Sequence, residues 1–236
     1  GFLFSEGIVA SIDDVGRAFH CGRPGDEGYG NMIEILPGPG TSLDIDLLKN
    51  SRRGTLTTSA CGICGRQSIE DLLDRCQPLP KGQEFHIDKI GEVIHRLRKI
   101  QPIFDETGGV HASAAFTISG ELLACFEDVG RHNAVDKTVG SLLFDRLVGI
   151  GKKRDRAPAI LAVSGRASFE IVQKAAMARI PIVASVSAPS SLAVDLSISL
   201  GITLAGFVRG KRFNIYSHPE RIIDNLHGLT SEKQVK

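Results

Sequence analysis

Residues 159–169 read Ala159-Ile160-Leu161-Ala162-Val163-Ser164-Gly165-Arg166-Ala167-Ser168-Phe169. The short apolar run Ala159–Ser164 predicts a strand buried on both faces. Gly165 then breaks it, and a helix is predicted over Ala167–Arg179. The unit repeats downstream, with a strand at Pro181–Ser187, a helix at Ser191–Leu200, a strand at Ile202–Val208 and a last short strand at Phe213–Ser217. Upstream, residues 110–118 and 122–128 read as strands joined by the turn Ser119-Gly120. A helix follows from Asn133 to about Leu147, with Val135, Val139, Leu142, Leu143 and Leu147 on one face. Strand–helix alternation with short apolar strands predicts an α/β, three-layer α/β/α architecture with a mostly parallel sheet.

The first third of the chain is less regular. Gly1–Ile8 has the form of an apolar helix end closed by Gly7. Residues 29–36 predict a strand that stops at Pro37-Gly38-Pro39-Gly40, and residues 43–48 a second one. Ser68 and Asp71 make a capping box for a short helix reaching about Arg75. Asp88 is read as the cap of a helix whose apolar face is Ile90, Val93, Ile94 and Leu97, ended or kinked by Pro102. A soft boundary at residues 77–87 divides a smaller N-terminal strand/helix region, 1–80, from the larger domain, 81–236, and the two are expected to form one unit.

With 236 residues, 42% hydrophobic and 23% charged, the chain has the composition of a globular protein. A net charge of +1 argues against bulk electrostatic binding to nucleic acid or membrane. No apolar run reaches the roughly 18 residues a bilayer span needs, and no signal peptide is visible. The five cysteines are Cys21, Cys61, Cys64, Cys76 and Cys125, an odd number with two in a CxxC, which points to reducing cytoplasm.

In an open α/β sheet, ligands bind beyond the carboxyl ends of the strands. The segments there are Glu127–Asn133, Ser164–Ser168, Ser187–Ser191 and Arg209–Arg212. The first three run into helix starts, and together they supply Arg131, Arg166, Arg209, Lys211 and Arg212. Free amides beside arginines favour a phosphate-bearing ligand. Each turn alone is also an ordinary helix cap; four on one edge make a site. His111, after Gly108-Gly109, and His132, beside Arg131, are candidate working residues, with a structural role as the alternative for each. Glu127 and Asp128 are read as a cap for the next helix or a salt bridge with Arg131, and Cys125 as a core residue.

The segment Thr57–Gly65 places Cys61 and Cys64 among small and hydroxyl residues and predicts a mobile loop, about 50–67. A structural zinc needs four ligands, and neither a second CxxC nor a close His pair exists. Zinc deaminases use His-x-Glu with a later Pro-Cys-x-x-Cys; here His111-Ala112-Ser113 lacks the glutamate and follows the CxxC. A redox CxxC usually opens a helix after a strand, which these flanks do not suggest. The remaining chemistry is a nucleophilic Cys61 that carries sulfur, assisted by Cys64, with Arg66 and the basic run Lys49–Arg53 favouring the thiolate. A redox or zinc enzyme, and a protein that binds cofactor without sulfur transfer, stay open as alternatives.

Ser59–Gly65, Thr107–Ala112, Glu127–Lys137 and Ser164-Gly165-Arg166 together resemble the formate dehydrogenase accessory sulfurtransferases, the FdhD/NarQ family. Gly1–Ile8 resembles that family's first helix, and the family normally carries a few dozen residues ahead of it, so an upstream segment is expected. The resemblance implies a cytidine-deaminase-like fold and a sulfurtransferase that takes persulfide sulfur from a cysteine desulfurase. It implies delivery to the molybdenum bis(molybdopterin guanine dinucleotide) cofactor, bound as substrate, before insertion into the formate dehydrogenase catalytic subunit. No permanent metal is implied, and a homodimer is expected. Cys61 falls on the family's catalytic cysteine, with Cys64 its companion, and Phe207, Val208, Arg209, Gly210, Lys211 and Arg212 fall on its cofactor-binding stretch. Ser164, Gly165, Arg166, Arg131, His132 and His111 are assigned to the same ligand from the sheet-edge reading. Ala60 stands where the family more often has Ser, and Gly210-Lys211 where it often has Pro-Gly.

Overall fold

Six strands form the central sheet in the order β5-β4-β6-β7-β8-β9: β4 His111–Phe116, β5 Leu122–Asp128, β6 Ile160–Val163, β7 Ile182–Ser185, β8 Thr203–Arg209 and β9 Arg212–Ser217. They come from a computed structural model that describes residues 1–26, 29–43, 73, 76–82, 84–151 and 156–224. Ahead of them lie α1 (Phe2–Ser5), the ribbon β1 (Val15–His20) and β2 (Ile33–Pro37), β3 (Phe85–His86), α2 (Ile87–Lys99) and α3 (Pro102–Thr107). Helices α4 (Arg131–Phe144), α5 (Phe169–Met177) and α6 (Ser191–Leu200) connect the later strands, and β10 (Ile222–Ile223) pairs in parallel with β3.

Side-chain alternation along β6 explains the layers. Leu161 and Val163 face a core with Val135, Leu142, Ile171 and Leu196 of α4, α5 and α6. Ile160 and Ala162 face the opposite core, with Ile90, Val93 and Leu97 of α2. A strand with apolar residues in both registers can be buried only between two helical layers, and all four β6 residues are buried. Phe4, Ile8 and Val9 from the first residues join the α4–α5 core.

The α/β class and the helices on both faces hold, but the sheet is mixed rather than mostly parallel. Only β6–β7 and β7–β8 pair in parallel; β4–β5, β4–β6 and β8–β9 are antiparallel. The reason is local turn chemistry: Gly120 (φ 86°) and Gly210 (φ 58°) adopt left-handed backbone that closes tight hairpins. Strand β4 is therefore inserted between β5 and β6. Since both neighbours run against it, β5, β6, β7 and β8 still point the same way, and their carboxyl ends share one edge.

Other expectations are corrected in detail. His86, not Asp88, is the N-cap of α2; its ring accepts the Asp88 N–H at 3.4 Å, and Asp88 sits in the first turn. Pro102 does not merely end that helix but opens α3 at its first turn, where the missing N–H costs nothing. Strand β1 was not expected. The expected strand at 43–48, the capping box at Ser68 and Asp71, and the CxxC loop fall outside the described residues, Leu43 excepted.

Candidate functional site

Small and hydroxyl residues tie the edge loops together. The Ser164 Oγ accepts the Ala112 N–H at 2.8 Å, while the Ser164 N–H donates to the Ala112 carbonyl at 3.0 Å. Ser185 Oγ donates to the Gly165 carbonyl at 2.7 Å. The Ala167 N–H bonds the Ala188 carbonyl, the Ser190 N–H returns to the Ala167 carbonyl, and the Phe207 N–H reaches Ser187. One continuous rim results, from β4 to β8. Those strands are three ladder steps apart, roughly 14 Å, which suits a nucleotide-sized ligand.

The positive charge of the rim concentrates beside β4. Gly165 touches both His111 and Arg131: a Cβ there would lie 3.2 Å from His111 Nδ1 and 3.5 Å from Arg131 Cδ. Burial, then Arg131 and Arg166, holds the His111 imidazole below its ordinary range, so it favours the neutral form. Burial and Arg166 likewise disfavour the charge on Arg131, with Glu170 opposing them. The Arg131 Nε is buried without a hydrogen-bond partner among the described residues. Two neighbouring guanidinium groups, Arg131 partly buried and Arg166 exposed, favour an anion. The starts of α4 and α5 carry no side-chain cap, so their first amides remain available to one, whereas Ser190 caps α6 through the Ala193 N–H. His111 and Ser164 also line a cleft of about 350 Å³ whose other walls include Ile94, Leu97, Phe104 and Val186.

The hairpin Phe207–Arg212 projects from the same rim. Phe207 is exposed and held at φ 54°, and the register slips between Gly206 and Arg209. Arg209, Lys211 and Arg212 are exposed, Lys211 lying 3.6 Å from Asp88. Val208 differs: it is 1% exposed and packs in the α2 core, so its side chain does not reach the rim. The Gly210 turn seats on α2 at Gly91, where a Cβ would lie 2.2 Å from the Gly210 carbonyl oxygen.

The stretch Glu127–Lys137 is largely a fastening device. Glu127 accepts the N–H groups of Ile103 and Phe104 at 3.0 and 2.9 Å, so it caps the preceding helix α3 rather than the following one. Asp128 accepts from Gly130 N at 2.8 Å and Asn133 Nδ2 at 3.1 Å, and pairs with Lys137 at 2.6 Å, not with Arg131. Burial alone would raise the Asp128 carboxyl; Lys137, the Gly130 N–H and Asn133 outweigh it and hold the group below the usual range. His132 turns to Ser168, its Nε2 2.8 Å from the hydroxyl. Sequence reasoning placed Ser168 in an edge segment without a role of its own, and missed Glu170 and the buried Lys174, which pairs with Asp136 at 2.6 Å. Their partners lie more than thirty residues away in the chain, so no local pattern marks them.

Cys61 and Cys64 lie outside the described residues. Of the described thiols, Cys125 is pushed up to about 11 by burial and Glu127, and burial raises Cys76 against the pull of Arg179. Neither is a thiolate at neutral pH. Cys125 is half-buried and packs against the α2 core. Among the described residues, no group of three or more His, Cys, Asp or Glu side chains could hold a metal ion, and no helix is long and apolar enough to cross a membrane.

Comparison with known proteins gives this geometry its relatives. The FdhD/NarQ family model matches residues 1–223, and the chain belongs to that family. The sulfur carrier protein FdhD of Anaeromyxobacter dehalogenans (strain 2CP-C) is 51% identical over 222 residues, covering 94% of this chain and 77% of the relative. The protein of the same name from Thermoplasma acidophilum is 46% identical over 223 residues, covering 94% and 74%. The crystal structure of a proposed formate dehydrogenase accessory protein from Desulfotalea psychrophila superposes with a TM-score of 0.66 at 27% identity, covering 94% of this chain and 78% of that one.

Proposed function

We propose that this chain is a sulfur carrier in the maturation of formate dehydrogenase, delivering persulfide sulfur to a molybdenum bis(molybdopterin guanine dinucleotide) substrate. The observation that carries the reading is the rim itself, where Arg131, Arg166 and two uncapped helix starts share one sheet edge with an exposed basic hairpin. A dinucleotide cofactor brings several phosphates, and the rim supplies charge and amides for them. Relatives named as sulfur carriers support the transfer chemistry.

In this reading the Cys61 thiolate attacks the outer sulfur of a cysteine desulfurase persulfide. A sulfur–sulfur bond forms on Cys61, and the desulfurase thiolate leaves with the electron pair of the old bond. Cys64 resolves or assists the outgoing transfer. His111, kept neutral, and Arg131 with Arg166 hold the phosphates of the acceptor. The working compartment is the reducing cytoplasm, and the partners are the desulfurase, the catalytic subunit of formate dehydrogenase and a second copy of the chain.

The test is the intact mass of the protein after incubation with a cysteine desulfurase and cysteine, for wild type, Cys61→Ala and Cys64→Ala. A gain of one sulfur atom, removed by reductant and lost in Cys61→Ala, is expected. No gain in any variant overturns the carrier role and leaves a protein that binds cofactor alone.

A further inference from the structure

Ser168 occupies the N-cap of α5 in extended backbone, φ −95° and ψ 168°, yet its hydroxyl caps nothing. Ser190 in the equivalent place before α6 does what an N-cap serine normally does and accepts the Ala193 N–H at 3.2 Å. Ser168 instead holds His132 Nε2 at 2.8 Å. The other ring nitrogen, Nδ1, stands 3.6 Å from Glu170 Oε2, a carboxylate only 8% exposed. A side chain that gives up its local role for a long-range polar contact marks a site where function overrides local stability.

We propose that Ser168, His132 and Glu170 form a nucleophilic triad that cleaves acyl esters or thioesters at the sheet rim. The nitrogens face their partners in the order such a triad needs: Nε2 is hydrogen-bonded to the hydroxyl, and Nδ1 faces the carboxylate at ion-pair distance, which closes to a hydrogen bond when the imidazolium forms. The His132 side chain is 21% exposed and Ser168 is half-buried, so a small carbonyl can approach. Ser168 is itself the N-cap of α5, and no side chain caps that first turn, which leaves its free N–H groups to serve a developing oxyanion.

In the reaction Ser168 Oγ attacks the carbonyl carbon while its proton passes to His132 Nε2. The carbon–oxygen or carbon–sulfur bond to the leaving group then breaks, that atom keeping the electron pair and taking the proton from His132. Water hydrolyses the acyl-Ser168 by the same steps in reverse order, returning the free hydroxyl and a carboxylic acid. Glu170 holds the imidazolium in orientation. No redox partner or metal is needed. The inference stands apart from the sulfur-carrier reading, because it uses neither Cys61 nor Cys64.

The experiment treats the whole protein with a fluorophosphonate, which phosphonylates activated serines, and maps the modified peptide. With thiols capped by iodoacetamide, p-nitrophenyl acetate hydrolysis is then followed. One phosphonyl group per chain on Ser168 is expected, absent in Ser168→Ala, with hydrolysis and labelling slowed about 10²-fold or more in His132→Gln. Ser168→Ala removes one hydrogen bond to His132 and no helix cap, so it should keep a cooperative thermal melt with at most a small drop in midpoint, which shows that lost labelling is not lost folding. A wild type that takes no label, a label on another serine, or a His132→Gln protein labelled as fast as wild type overturns the triad and leaves the Ser168–His132 bond as a cross-link between two helix starts.

Discussion

Replacing Asp136 by Asn should unfold this protein more than most single substitutions could. Lys174 is 2% exposed, with its Nζ 2.6 Å from Asp136 Oδ1 and 5.6 Å from the centre of the Phe2 ring; the Asp136 side chain is 16% exposed. Surface pairs such as Lys89–Glu92 and Arg98–Asp105 are at least a third exposed, and such pairs contribute roughly 0–1 kcal/mol. The buried pair differs because breaking it strands a charge, at about 3–5 kcal/mol. Asp136→Asn is therefore expected to cost about 3–5 kcal/mol. Lys174→Met should cost less, about 2–3 kcal/mol, because the carboxylate left behind still reaches water. The double variant Lys174→Met/Asp136→Asn leaves no charge and should be more stable than Asp136→Asn alone. Urea unfolding at pH 7, read from midpoints at unchanged slope, measures all three. A loss below about 1 kcal/mol in Asp136→Asn, or strict additivity in the double variant, would refute the reasoning.

Two further outcomes follow from the rim. The folded-state proton affinity of His111 is lowered by burial, Arg131 and Arg166, so below about pH 6.5 the unfolded chain binds a proton that the folded chain refuses. Stability should thus fall as pH drops through that range, and His111→Gln should flatten part of the fall between pH 7.5 and 5.5; parallel curves for the two proteins would rule this out. Gly91→Ala places a Cβ 2.2 Å from the Gly210 carbonyl oxygen, so helix α2 or the hairpin turn must move by on the order of 1 Å. A loss of about 1–3 kcal/mol in thermal unfolding and weaker GDP binding by calorimetry are expected, and unchanged values in both would show that the turn adapts freely.

Much of the α/β domain was legible in the sequence because its signals are local. The apolar run at Ile160–Val163, the glycine breaks and the small-residue turn Ser187–Ser191 each act within a few residues, and each element appears where the pattern puts it. The rim was legible for the same reason, since a strand end followed by a helix start is a local event. Illegible were pairings between distant segments. That β4 enters between β5 and β6 depends on which of two open strand edges the hairpin fills, and no residue in Leu122–Asp128 states it. Val208 looked like part of a binding loop, but its alternation places it in the α2 core.

What the sequence by itself determined, then, is the set of elements, the two apolar faces of the sheet and the family, through Glu127–Lys137 and the Cys61–Cys64 pair. Periodicity and turn chemistry are short-range, so they survive without the fold. Only the tertiary structure decided that Glu127 caps a helix through an N–H twenty-four residues earlier, that Asp128 pairs with Lys137 and that Ser168 serves His132 rather than its own helix. Those choices rest on distances across the sheet, and a charge or hydroxyl has no preferred distant partner until burial removes water as the competitor.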